Sequence, residues 1–385
     1  MNIFRGLLIA AGWLLFATLS WTVVTTPRPY TALETMQDFH AYYLASEAWQ
    51  NGQPLYRPDM TTAIQFAYLY PPLLAQIIVP LTWLDFTTAN RTWLIICLVL
   101  FFITLYLMAR ALPRRRPGDL LMLSPLLFMP AYMAFDTGQV AIVMFALLAG
   151  AWMARKEGHG VTAGCLLALA CWIKVYPAFL VMYFLWRRDW PVVRGVAVAG
   201  SALGLLQLVL APQDLIFYFT SVLPQLNAQG QPMLNQGGAS TLGFAELVTP
   251  SVAQSVRWLL SLICIAGTLL ISRRSDGRTF GLEYGMALIT SAVIGATYLL
   301  PGWVNLLLLA AILLSYDRST RTWVVIMVTY AALTSVPLLT LGVLPRSSSG
   351  WLAYLPFLAF MLLWGYMAWL RLRRGRVTEP GATTV

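Results

Sequence analysis

The residues best suited to chemistry stand together in one polar run, Asp38, Phe39, His40, Ala41, Tyr42 and Tyr43, which lies between two strongly apolar stretches. A carboxylate beside a membrane can accept a proton, and aromatic rings around it offer apolar faces with polar tips. That combination suits chemistry on a lipid-borne substrate. Asp38 also has a plainer reading. With Thr35 it forms a capping box of Thr-x-x-Asp form, and Gly52 ends the helix, so its carboxylate can simply cap an N-terminus. On that helix Asp38, Tyr42, Ala45 and Trp49 share one face, and Phe39, Tyr43 and Ser46 share its neighbour, so one face docks while the other reaches a site.

Other polar groups lie where the same side of a membrane would be. Lys174 separates two apolar stretches and can stabilise an anion, or it can snorkel from its span. Arg57 and Arg346 back it as further cations. Asp136, followed by Gly138 and Gln139, can hydrogen-bond hydroxyls, or it can close a helix. Tyr42, Tyr43 and Tyr70 can stack on a ligand or serve as interfacial belt anchors. His40 faces the interface or bonds near Asp38. Asn235 and Gln236 sit in a Gly-rich stretch that suits a mobile cover over substrate and equally a flexible connector.

Those residues need a frame, and composition supplies it. The chain has 385 residues, 59% hydrophobic and 10% charged, with a mean hydropathy of +0.70. This is a polytopic, all-α membrane protein. The net charge of +10 does not indicate nucleic acid, because the basic residues cluster in short breaks between apolar blocks. The clusters are 114–116, 155–156, 187–188, 273–274, 318 with 321, and 371–376, the pattern of cytoplasmic loops that also touch anionic membrane lipids. Using them as fixed points gives about twelve spans: 4–25, 90–111, 119–135, 139–154, 161–173, 175–187, 192–211, 253–273, 281–300, 302–316, 322–341 and 351–370. All but six of the 25 basic residues then lie inside. Residues 71–84 are apolar but reach only about 21 Å as a helix against a hydrocarbon core of about 30 Å, so they read as interfacial or re-entrant. Residues 1–385 form a single integral-membrane domain with two long outer loops, 26–89 and 212–252. The four cysteines all fall within spans, and with two histidines the chain offers no His/Cys metal cluster. No structural metal and no cofactor are expected.

Several short motifs occur in an order that resembles glycosyltransferase family 87: Asp-Phe-x-x-Tyr-Tyr at 38–43, Gly-Gln-Pro-Leu-Tyr at 52–56, Tyr-Pro-Pro at 70–72, Gly-Gln at 138–139 and Lys-x-Tyr-Pro at 174–177. The resemblance implies a GT-C fold with interfacial helices in the outer loops, and a multi-pass enzyme of the plasma membrane whose site faces the extracytoplasmic side. It implies inverting transfer of a sugar, mannose first, from a polyprenyl-phosphate donor to a lipid or glycan acceptor, with Asp38 as base. Two departures stand out. The family usually has a His where Pro301-Gly302-Trp303-Val304-Asn305 places Asn305, leaving a neutral donor toward the phosphate. Its Asn-Gln-Ser becomes Asn235-Gln236-Gly237-Gly238-Ala239-Ser240. A transporter or flippase of lipid-linked saccharide is the alternative, but neither mid-span acidic residues nor an internal repeat supports it. A catalytically silent scaffold on the same fold is a third.

Overall fold

The computed structural model describes residues 3–25, 37–56, 68–112, 115–224, 253–273, 277–294, 300–340 and 355–376. Every regular element among them is helical. The α-helices are α1 (Ile3–Thr25), α2 (Gln37–Gln50), α3 (Pro72–Ile78), α4 (Phe86–Ala111), α5 (Arg115–Leu123), α6 (Met129–Asp136), α7 (Ala141–Lys156), α8 (Gly160–Ile173), α9 (Ala178–Trp186), α10 (Trp190–Leu210), α11 (Pro212–Phe217), α12 (Ala253–Ser272), α13 (Phe280–Ile294), α14 (Leu306–Tyr316), α15 (Thr320–Thr340) and α16 (Leu355–Arg376).

A helix occurs at each of the twelve expected spans, but their lengths differ. Among the described residues four helices are long and apolar enough to cross a membrane, and five if the bent pair 117–127 and 129–136 is one span. The count of twelve crossings is therefore not reached by length and composition. Part of the shortfall lies in the interior. α13 is buried from Phe280 to Val293 and α14 from Leu306 to Leu314, and at 15 and 11 residues they are about 22 and 16 Å long. Packed inside the bundle, they meet other helices rather than lipid. The outer helices show the reverse. Leu14, Val198 and Val209 are 71, 70 and 78% exposed, as expected of side chains that face hydrocarbon.

The helices share two ends. At one, α4, α6 and α8 meet α2 and α3 beside the starts of α7 and α14. At the other, the arginine clusters gather. Glu283, at the start of α13 and fully buried, accepts from Arg187 Nη1 at 2.6 Å and from Arg371 Nε at 2.7 Å. Arg155 Nε donates to Asp189 Oδ2 at 2.6 Å, and Arg5 pairs with Asp119. Buried cations need such partners. The segment at 71–84, expected to be interfacial or re-entrant, is α3 followed by a 3-10 turn, Val79–Trp83, and it packs against α2.

Two local features carry the frame. α8 and α10 cross so closely that a Cβ on Gly164 would lie 2.1 Å from the Val192 carbonyl oxygen, and one on Gly195 2.1 Å from that of Val161. Only glycine permits this approach. Between α5 and α6 the chain bends by 56°, because Pro130 has no N–H for the carbonyl of Leu126. The Tyr132 hydroxyl supplies that bond at 3.2 Å, and the Tyr330 hydroxyl reaches the Ser124 carbonyl at 2.6 Å. The bend carries the end of α6 toward α2.

Candidate active site

α6 ends in a turn that presents Gln139. Gly138 has φ +65, which a Cβ would oppose. Its N–H donates to Phe135 O at 3.1 Å, and that of Gln139 to Ala134 O at 2.9 Å, the paired bonds of a Schellman cap. Trp93 Nε1 holds the Gly138 carbonyl at 2.8 Å. The expected Gly52 stop on α2 has the same pair, Gly52 N to Trp49 O at 3.1 Å and Gln53 N to Ala48 O at 2.8 Å. The other half of that expectation, Thr35, lies outside the described residues.

The start of α2 docks on this turn. The backbone N–H groups of Asp38 and Phe39 donate to the Thr137 carbonyl at 2.9 and 3.3 Å. A carbonyl at the end of one helix thus satisfies donors at the start of another that intrahelical bonding leaves open. The docking sets Asp38 against Gln139, whose Nε2 donates to Asp38 Oδ2 at 3.0 Å. The amide is oriented from behind. The hydroxyls of Tyr42 and Tyr70 each donate to Gln139 Oε1 at 2.9 Å. Burial raises both phenols above their ordinary pKa, so they remain donors.

Lys174 completes the electrostatics. It ends α8 in an extended conformation, with its N–H on Ala170 O at 2.9 Å, and its ammonium lies 5.3 Å from the centre of the Tyr70 ring. Burial pushes Asp38 up to about 6, while the Lys174 charge and hydrogen bonds from Thr137 and Gln139 pull it down. Burial pushes Lys174 down to about 8 against the opposing pull of Asp38. Between those values the site holds a carboxylate and an ammonium. A base titrating near neutral pH is well matched to taking a proton from a hydroxyl.

The remaining expected residues are dispersed around this group. Asn305, almost fully buried, donates from Nδ2 to the Tyr176 hydroxyl at 3.2 Å, which ties the start of α14 to the Lys174 loop. Asp136 is the last residue of α6, half-buried beside the Gly138 turn. His40 packs on Phe86, ring centres 4.4 Å apart. Tyr43 donates to the Leu84 carbonyl at 2.9 Å and holds α2 on the entry to α4. Tyr42 is fully buried, and its hydroxyl braces Gln139. Arg57, Arg346, Asn235 and Gln236 lie outside the described residues. Thr137, Trp93 and Tyr176 were not singled out from sequence; Thr137 lies inside the Asp136-to-Gln139 run and Tyr176 inside Lys-x-Tyr-Pro, so both were within reach. Trp93 carried no such signal.

The sequence profile of glycosyltransferase family 87 matches residues 68–300, more than half of the chain. The chain is a member of glycosyltransferase family 87. Gln139, Lys174 and Tyr70 lie within the matched stretch, and Asp38 lies upstream of it. Curated family relatives include a polyprenol-phosphate-mannose-dependent alpha-(1-2)-phosphatidylinositol mannoside mannosyltransferase of Mycobacterium tuberculosis, 27% identical over 258 residues, covering 62% of this chain and 60% of that protein. A pentamannoside mannosyltransferase of the same donor type from Mycolicibacterium smegmatis is 28% identical over 251 residues, with 61 and 59% covered. The chain thus spans about three-fifths of the length of these relatives. Among solved structures, ArnT from Cupriavidus metallidurans bound to undecaprenyl phosphate aligns over 97% of this chain and 79% of its own, with a TM-score of 0.49 and 16% identity.

Proposed function

We propose that this family 87 protein is an inverting mannosyltransferase that uses a polyprenyl-phosphate-linked sugar as donor. The observation that carries the reading is the Asp38 carboxylate, held by the Gln139 amide and faced by Lys174, at the end of the bundle away from the arginine clusters. The relatives' names supply the donor class and a phosphatidylinositol mannoside as the first acceptor to try. On this reading the chain is a single GT-C type domain of about twelve crossings in the plasma membrane. The arginine end is cytoplasmic, by the positive-inside rule, and Asp38 lies at the outer leaflet.

The acceptor hydroxyl oxygen attacks the anomeric carbon from the face opposite the phosphate, so the configuration inverts. Its proton passes to Asp38 as the new carbon–oxygen bond forms. The bond from the anomeric carbon to the phosphate oxygen breaks, and the polyprenyl phosphate leaves as an anion toward Lys174, whose charge grows in value as the leaving group gains its own. No general acid is needed, because a phosphate is a stable leaving group at neutral pH. Gln139, Tyr42 and Tyr70 fix the carboxylate in line with the incoming hydroxyl.

The test is Asp38→Asn, assayed with radiolabelled polyprenyl-phosphate mannose and fractionated membrane lipids. Label transfer collapses by at least about a hundredfold, the ordinary contribution of a general base, while the unfolding midpoint above pH 6 stays at or above that of the wild type. The raised pKa means that burying the charge costs more than its partners return, so a neutral isostere is not destabilising there. Turnover at the wild-type rate would refute the mechanism.

A further inference from the structure

α10 starts at Trp190, beside the arginine clusters, and ends at Leu210 at the Asp38 end, where only Ala211 separates it from α11. α11 closes in a π-helical turn, Tyr218–Val222, a form found mostly at functional sites. Along this segment Ala211, Leu215, Tyr218 and Val222 are buried, whereas Ile216, Phe217 and Phe219 are exposed. The segment is therefore amphipathic. One side covers the bundle, and the other continues the lipid-facing surface of α10, on which Val209 stands exposed. Tyr218 is the aromatic on the covered side. Its ring packs 6.0 Å from that of Tyr56, and the Tyr56 hydroxyl donates to the Tyr70 carbonyl at 2.6 Å. We propose that Tyr218 is a further substrate-binding residue of the transfer site, its hydroxyl donating a hydrogen bond to a phosphate oxygen of the lipid-linked sugar donor. This rests on the polyprenyl-phosphate reading given above and adds a residue to it.

The hydrogen bonds single Tyr218 out. The neighbouring phenols have acceptors: Tyr42 and Tyr70 donate to Gln139 Oε1, Tyr56 to the Tyr70 carbonyl and Tyr68 to the Pro71 carbonyl. Tyr218, only 2% exposed, has no hydrogen bond to any described residue. A buried hydroxyl in that state is rare in a folded protein and calls for a partner from outside the chain. Burial is the main reason that the phenols of Tyr68 and Tyr70 titrate high, and the Tyr218 phenol adds to it, so its oxygen lies near theirs. Lys174 is in the same condition. Its ammonium, 5.3 Å from the centre of the Tyr70 ring, also has no hydrogen bond to a described residue. Donors without acceptors, one of them charged, thus gather around Tyr70, and an anion satisfies both.

Position selects the phosphate over the sugar. On a polyprenyl-phosphate sugar the phosphate is the polar group next to the lipid tail, and Tyr218 stands on the turn whose outer side meets lipid. The sugar, one bond further on, is left to reach Asp38. Burial keeps the Tyr218 phenol protonated at neutral pH, so it donates without giving up its proton, as suits a leaving group that needs no general acid. The bond gains strength as the phosphate gains charge on departure.

The test is Tyr218→Phe, which keeps the ring and removes only the hydroxyl, in the full-length chain in detergent micelles. Farnesyl phosphate is the probe and farnesol its uncharged control, with binding read from the unfolding midpoint. Farnesyl phosphate raises the wild-type midpoint, and its apparent affinity falls at least about tenfold in Tyr218→Phe, the effect of one hydrogen bond to a charged group. Farnesol acts on both proteins alike. Without ligand the variant's midpoint is no lower than that of the wild type, because the lost hydroxyl bonded nothing in the chain. kcat/KM for polyprenyl-phosphate mannose falls by a similar factor, with the acid limb near pH 6 unmoved. Wild-type affinity for farnesyl phosphate overturns the proposal, even if affinity for the mannose donor falls, since the hydroxyl would then serve the sugar. A lower midpoint without ligand, or a variant that fails to fold, also overturns it, since the hydroxyl would then serve the fold. No response of the wild type to farnesyl phosphate refutes the donor reading itself, whereas equal responses of wild type and variant refute the role of Tyr218 alone.

Discussion

Replacing Gln139 with Leu removes one donor from Asp38 and two acceptor contacts from buried phenols, and its consequences can be worked from the geometry. The Nε2 to Oδ2 bond of 3.0 Å is charge-assisted, and bonds of that kind contribute about 1.5–3 kcal/mol. At 1.36 kcal/mol per pKa unit, its loss moves Asp38 from about 6 to about 7–8. At pH 7 the ionised fraction then drops from about nine-tenths to between about one-half and one-tenth. The acid limb of the pH–rate profile should move up by one to two units, with kcat at pH 7 falling about two- to tenfold from ionisation alone and KM changing less. Raising the pH restores only part of the activity, because Lys174 loses its proton at about 8. The Tyr42 hydroxyl keeps the Tyr70 oxygen, 3.2 Å away, as an acceptor, whereas the Tyr70 hydroxyl loses its own at about 1–3 kcal/mol, so the unfolding midpoint must be recorded alongside. The assay is the radiolabelled transfer reaction across pH 5 to 9, normalised to folded protein. A uniform loss of activity with an unmoved acid limb would refute the reasoning, since Gln139 would then act through packing and not through the carboxylate.

For the wild type, transfer should follow a bell-shaped pH profile with limbs near 6 and 8, as Asp38 must be charged and Lys174 protonated. Lys174→Gln should abolish the alkaline limb and lower kcat by more than tenfold, read by the same titration. Gly138→Ala places a Cβ at φ +65 and should cost about 1–2 kcal/mol of stability while turning Gln139 away, seen as a lower unfolding midpoint together with an acid limb shifted as in Gln139→Leu. Glu283→Gln leaves Arg187 and Arg371 without their shared carboxylate and should destabilise by about 3–5 kcal/mol, measured by denaturation in detergent, with transfer per folded molecule unchanged because the pair lies at the opposite end.

The sequence alone determined the membrane class, the helix positions and the arginine-marked ends, since hydrophobic blocks of span length and clustered charge are local, additive signals. It also pointed to Asp38, Gly138 with Gln139, and Lys174, because each sits in a short motif whose residue types limit its chemistry. What it did not determine was how these motifs meet. The carbonyl of Thr137 that holds the start of α2, the amide of Gln139 on Asp38 and the phenols behind it join positions 28 to 101 residues apart. Nothing in the spacing of either partner specifies such contacts. Tyr42 shows the consequence: read along the chain it is an aromatic on a helix face, whereas in the fold it is a buried donor whose bond to Gln139 sets the geometry of the base. The number of crossings was not legible for a related reason. Hydropathy registers how apolar a segment is, but only packing decides whether that surface meets lipid or another helix, and α13 and α14 meet helices.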